Sequence, residues 1–315
     1  MAEIKGFMRA IEKFKKPGSG RGNRVRRSRR EQRTRFVSLL YLSPSIIGVL
    51  VFFVIPFLVV IYYSLVNNPV QGKFVGFRNF LSVWNNDAFR QAAGNTLRFS
   101  FTAVPLAVIG SLYLAAVMES RIPFKSRFRT FFLSPIMVPI ASVVLIWQVL
   151  FHYNGLINEV FTALGGTKTD WFKSDFAQIP VMLLFLWKNL GYNMILFMAA
   201  LSSVPHDLIE VAQLEGATKR QIFFRIKLRY LSATVVFVTI MSLISSFKVF
   251  REVYLLAGDY PVSSLYMLQH YMNNTFRSLD YQKLSAAAII MSLVIIVLFF
   301  IMYKAEDKFG RDVED

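Results

Sequence analysis

The chain contains no cysteine and only three histidines, His152, His206 and His270, far apart in sequence. The first absence excludes a disulfide framework and any thiolate metal site. The second leaves no ligand spacing for a metal. No Walker A sequence is present. Gly72–Lys73 is the single Gly-Lys step, and it lacks both the upstream glycine and a following Ser or Thr, so the chain does not cradle ATP that way. Neither a G-x-S-x-G elbow nor an H-E-x-x-H helix occurs. Acidic residues are scarce, 19 against 36 Lys and Arg.

What the sequence has is long apolar runs. Of its 315 residues 55% are hydrophobic, and mean hydropathy is +0.45. Soluble domains are not organised into runs of this length, and the runs do not alternate as the strands of a membrane barrel do. The expected fold class is therefore an all-α polytopic membrane protein. Six spans of about 20 residues or more are expected near 37–66, 95–118, 129–151, 178–201, 231–257 and 284–303. Pro44 and Pro56 in the first span, and Pro135 and Pro139 in the third, mark expected kinks, tolerated where neighbouring helices satisfy the freed carbonyls.

The net charge of +17 suggests nucleic acid until it is located. With the N-terminus inside, 25 Lys and Arg fall on the cytoplasmic side and nine outside. The positive-inside rule accounts for that asymmetry. Three parts follow: a basic cytoplasmic arm (1–35), a six-helix transmembrane domain (36–304) and a cytoplasmic tail (305–315). Residues 1–16 read as a basic amphipathic helix suited to anionic lipid. The Arg24 to Arg35 run abuts a span, which argues against a nucleic-acid arm. The apolar segment after it is too long for a cleaved signal.

One polar stretch interrupts the spans: PHDLIEVAQLEGATKRQIFFRIKL, residues 205–228. Pro205 suits a first helical turn, Gly216 suits the residue after a helix, and Thr218 with Gln221 reads as a capping box. The expectation is two short amphipathic helices at a membrane surface. An ordinary interfacial loop would give the same spacing.

Span four carries Lys188, Asn189, Tyr192 and Asn193; span five carries Ser242, Ser245 and Ser246, with Lys248 at its end. Polar groups in spans face a cavity or a partner helix. A ring beside amides and hydroxyls suits a saccharide; for the three serines bonds across helices are the plainer reading, and for the span-four cluster a cavity is. Lys248 and Arg251, with Lys188, raise an acidic saccharide such as a uronate oligomer as substrate. Glu252 stands at i+4 from Lys248, placed to neutralise it.

The polar stretch resembles the coupling signature of permease subunits of bacterial ATP-binding-cassette carbohydrate importers, E-A-A-x-x-x-G-A followed by F-x-x-I-x-L-P. The matching positions are Glu210, Val211, Ala212, Glu215, Gly216, Ala217, Phe223, Ile226 and Leu228. Val211 replaces an alanine, Glu215 an aspartate, and Arg229 and Ala233 stand where prolines are usual. SPSIIGVLVFFVIPF (43–57), GFRNF (76–80), GNTLRFS (94–100) and WKNLGYNMILFMAALSSVP (187–205) extend the likeness.

The resemblance implies a type I importer permease fold. It makes 203–230 the loop that contacts an ATPase, through Glu210, Ala212, Glu215, Gly216, Ala217 and Phe223. It places Lys188, Asn189, Tyr192, Asn193, Ser242, Ser245 and Ser246 at a sugar site. It implies a second permease of like fold, two ATPase subunits holding ATP and Mg, an extracytoplasmic sugar-binding protein and membrane lipid as partners. No cofactor on this chain, no catalytic residue and no nucleic acid are expected. A carrier driven by an ion gradient is the alternative. It calls for inverted repeats and carboxylates within spans, and neither is evident. A membrane-anchored scaffold fits the basic arm but not six polar-bearing spans.

Overall fold

The computed structural model describes residues 29–119 and 124–314, with side chains described from 37 to 304 apart from residue 39 and 120–123. The amphipathic arm expected over 1–16 and Arg121 lie outside the described residues.

The chain divides into two compact units at Leu58. In the first, α1 (Arg29–Val49) runs into a π-helical turn, Leu50–Val54. Pro56 follows one residue later, after Ile55, and its missing N–H leaves a carbonyl of the preceding turn unpaired, which a π-turn accommodates. The helix continues as α2 (Ile55–Leu65), whose second half belongs to the larger unit.

In the larger unit the helices are α3 (Arg78–Trp84), α4 (Asp87–Glu119), α5 (Lys125–Met137), α6 (Ile140–Leu150), α7 (Leu156–Ala163), α8 (Gln178–Ser202), α9 (His206–Leu214), α10 (Lys219–Ile222), α11 (Leu228–Tyr230), α12 (Ser232–Phe247), α13 (Phe250–Ala257), α14 (Leu268–Arg277) and α15 (Tyr281–Glu314). Extended structure among the described residues is confined to one bridge, Val66 with Phe74. α15 continues through 305–314, the segment read from sequence as a separate tail.

Among the described residues five stretches are long and apolar enough to cross a bilayer: Leu40–Leu65, Asp87–Glu119, Asp175–Ser202, Ser232–Ala257 and Tyr281–Lys304. The expected third span differs from its sequence reading. It is a pair of helices, α5 and α6, bent by 102°. Val138 is extended at the end of α5, and Pro139 caps α6. Proline drives the residue before it out of the helical region, so Val138 breaks the helix where a mild kink was expected.

α4 is the central strut. Ala92, Thr96, Ser100, Ala103, Ala107, Ser111 and Ala115 form a buried small-residue stripe along it. Such a stripe lets helices approach closely where lipid gives no hydrophobic drive to associate. Phe99 meets Phe185 of α8 edge-on at 5.6 Å. Val104 and Val108 share a core with Met194 and Phe197 of α8 and Val238 and Leu243 of α12. α8 also comes close against α5. A Cβ built on Gly191 would stand 1.7 Å from the Phe132 carbonyl oxygen, so only glycine fits there.

Candidate functional site: a charged cavity at a helix break, and a polar loop

α12 and α13 together form one apolar stretch, but the helix breaks at Lys248 and Val249. A cavity of about 400 Å³ lies against that break. α5 and α6 contribute Pro135, Ile136, Val138 and Ile140, α8 contributes Lys188, Asn189 and Tyr192, and the break region contributes Ser245, Lys248, Arg251 and Glu252.

The seven side chains expected at a sugar site divide between two places. Lys188, Asn189, Tyr192 and Ser245 line the cavity. Asn193, Ser242 and Ser246 are buried beneath it. Asn193 donates to Ser242 Oγ at 2.8 Å, and Ser246 Oγ shares a hydrogen bond with Ser100 Oγ at 2.8 Å. Those three tie α8 to α12 and α12 to α4. Residues 189, 192 and 193 lie on one broad helical face, but residue 193 sits at its α12-facing edge.

Lys188 is ion-paired with Glu252 of α13. This corrects the expectation that Glu252 neutralises Lys248: the i, i+4 geometry is lost because the break falls between them. The pair is unequally covered, with the Glu252 side chain 10% exposed and that of Lys188 32%. Lys248 and Arg251 are exposed into the cavity and have no acidic partner among the described residues. With one acid against three bases, the lining carries a surplus of positive charge. Glu252 is the charged lining residue that the sequence reading did not place there; an acid inside the expected span 231–257 was the available signal.

The 205–228 stretch forms the expected helix pair. Gly216 turns at φ 81°. Thr218 caps α10, its side chain accepting from the Gln221 N–H at 3.3 Å while Gln221 Oε1 accepts the Thr218 N–H at 2.8 Å. α10 continues through a π-turn, Phe223–Lys227, into α11, so the second helix is longer than its cap alone suggests. Glu210 and Glu215 are exposed, and Ala212, Ala217 and Phe223 are half-buried. Leu214 is 88% exposed beside exposed Val211 and Leu208, a contiguous apolar patch of the kind that marks a protein contact. Lys227 reaches Glu119 at the end of α4 at 2.5 Å, which ties this loop to the central strut.

Beyond α13, His270 of α14 is buried with its ring against Phe250, 4.6 Å between centroids. Its Nδ1 accepts the Met267 N–H at 3.3 Å. Burial pushes the imidazole down from 6.5 to about 4, against the opposing pull of Asp259. Between those values the unfolded chain binds the proton and the folded chain does not, so stability falls as pH drops from 6.5 towards 4. Thermal unfolding across that window is expected to show a steeper acid loss in the wild type than in His270→Gln. Parallel profiles would mean that this imidazole takes its proton without unfolding the region.

Residues 103–310 match the family described as "binding-protein-dependent transport system inner membrane component". LacF of Rhizobium radiobacter, a lactose transport system permease protein, is 28% identical over 84% of this chain and 92% of its own length. UgpA of Pectobacterium atrosepticum, an sn-glycerol-3-phosphate transport system permease protein, is 29% identical over 88% of this chain and 96% of its own. Among solved structures, a chain of a bacterial ABC transporter involved in the import of the acidic polysaccharide alginate superposes with a TM-score of 0.77 at 21% identity, covering 89% of this chain and 99% of that one.

Proposed function

The chain belongs to the family of binding-protein-dependent transport system inner membrane components, and on that premise we propose that it is the subunit through which an ATP-driven importer passes an acidic carbohydrate. Membership sets the class: a multi-pass permease subunit of an ATP-binding-cassette importer, similar to those of sugar systems. It also displaces the ion-driven carrier and the scaffold.

The names of the relatives span a neutral sugar and a phosphate ester, so the family does not choose the substrate's charge. The observation that favours an acid is the pair of unpartnered cations, Lys248 and Arg251, in a cavity that also presents Tyr192, Asn189 and Ser245. A low-dielectric cleft lined by one sign of charge concentrates the opposite sign. The tyrosine ring offers a face to a pyranose, and the amide and hydroxyl offer bonds to its edge.

The test is ATPase stimulation of the reconstituted complex by uronate against neutral oligosaccharides. The uronate response is expected to dominate, to weaken with salt, and to fall at least about tenfold in Lys248→Gln/Arg251→Gln, the scale of a lost charge-assisted hydrogen bond. An equal or better response to neutral sugars, insensitive to salt and to both substitutions, would overturn the acidic reading.

The remaining parts of the proposal follow the importer class. The chain pairs with a second permease, two ATPase subunits that hold ATP and Mg, and an extracytoplasmic binding protein. Both termini are cytoplasmic, as the 25-to-9 charge asymmetry favours, which puts the 203–230 loop where an ATPase reaches it. The exposed patch around Leu214 and the acid of Glu210 form the contact surface. The tie from Lys227 to Glu119 passes its movement to α4, so ATP-driven closure rocks the helices around a site near mid-membrane.

Glu210→Ala and Gly216→Pro are expected to abolish uptake while the protein still inserts. Proline cannot take the positive φ that Gly216 holds. Normal uptake by both, at normal membrane levels, would remove the loop from coupling.

A further inference from the structure

The two unpartnered cations line a second cavity as well. Lys248, Phe250, Arg251, Tyr254, Leu255 and Gln269 enclose about 430 Å³ on the far side of the break. Among the described residues, Lys248 and Arg251 are the lining residues the two cavities have in common. On α13, residues 250, 251, 254 and 255 make one strip towards this second space, while Glu252 points to the first.

The wall of the second cavity is built rather than incidental. Phe250 and Tyr254 pack ring against ring at 5.5 Å. Phe250 is held from behind by the buried His270 ring at 4.6 Å. The Tyr254 hydroxyl accepts from Arg277 Nη2 at 3.0 Å, and Arg277 is itself ion-paired with Asp259. Both rings are thus fixed without a ligand and remain half-buried, which leaves apolar surface open. Aromatic surface, the Gln269 amide and two cations repeat the chemistry of the first cavity.

We infer that the second cavity is an additional saccharide subsite and that the transported molecule is an anionic oligosaccharide of at least two units, its acid groups meeting Lys248 and Arg251, which border both cavities. Each space is the size of one small-ligand pocket, and a chain passing over the two shared cations places a unit in each. The inference rests on the acidic-carbohydrate reading above, and it adds a second subsite that the reading does not contain.

The test is binding of uronate monomer, dimer and trimer to the solubilised permease–ATPase complex without binding protein, followed by titration calorimetry. The trimer is expected to bind at least about tenfold more tightly than the monomer, the scale of one further charge-assisted contact. Gln269→Ala and, separately, Phe250→Leu should bring the trimer-to-monomer ratio towards one. The Gln269 side chain makes no hydrogen bond among the described residues, so its variant tests the subsite without disturbing the fold. Equal affinity for monomer and trimer in the wild type, or a ratio untouched by both variants, would overturn the second subsite while leaving the acidic reading standing. Binding of no uronate at any length would overturn both. A parallel series of sulfated oligosaccharides tells a carboxylate from another anion.

Discussion

Gly191→Ala is expected to prevent assembly of a stable permease. The added Cβ would lie 1.7 Å from the Phe132 carbonyl oxygen and 2.5 Å from its carbon. Both are backbone atoms, so no rotamer change relieves the clash, and α8 and α5 must move apart. Overpacking a core typically costs about 1–3 kcal/mol, and a clash with backbone belongs at or beyond the upper end. Separation would also shift Pro135 and Ile136, which wall the first cavity, so any protein that survives should transport poorly. The measurement is thermal unfolding and membrane yield, with Gly94→Ala as the matched control. Gly94 is also helical, and a Cβ there would meet nothing within 4 Å, so alanine should be neutral or stabilising by up to about 1 kcal/mol. Equal behaviour of the two variants would mean that the α5–α8 contact is looser than this geometry.

The second large effect concerns Lys188 and Glu252. Breaking a buried ion pair by removing one partner costs about 3–5 kcal/mol, because the survivor keeps its desolvation without compensation. Here the two survivors differ. Lys188→Met strands the Glu252 side chain, 10% exposed, and should approach that range, about 3 kcal/mol. Glu252→Met strands Lys188, whose side chain is 32% exposed and can turn towards the cavity. Its cost is discounted for solvent to about 1 kcal/mol. The double variant should recover most of the loss, since replacing both charges by apolar groups is often close to neutral. Additive losses in the double-mutant cycle would show that the two residues act independently.

Transport separates the same residues in a different way. Glu252→Met turns the neutralised Lys188 into a third free cation of the first cavity. Under the acidic-substrate proposal it should hold uronates more tightly and release them more slowly, so uptake falls although affinity rises.

The sequence by itself determined the membrane class, most of the span positions and the shape of the 205–228 loop. Those depend on interactions within a single segment. In lipid backbone groups must be satisfied within a helix or a closed barrel, so a long apolar run without alternation reads as a helix. Gly216 and the Thr218–Gln221 cap are set by residues three apart, and they stand where their spacing places them. The tertiary structure alone decided which polar residues meet. Lys188 and Glu252 are 64 positions apart, and nearer Lys248 was the natural partner for Glu252 until the break at 248–249 turned the two apart. Asn193 read as a cavity group with its span-four neighbours, yet it bonds Ser242, for which a bond across helices was the plainer reading, because α8 and α12 pack against each other. Pro135 and Pro139 announced a disturbed span, but two prolines do not tell a kink from the 102° bend between α5 and α6. Gly191 looked like any glycine in a membrane helix; only the distance to Phe132 gives it a reason. Local propensity and hydropathy are written into consecutive residues, whereas the charge and shape of a cavity are sums over helices that the sequence keeps far apart.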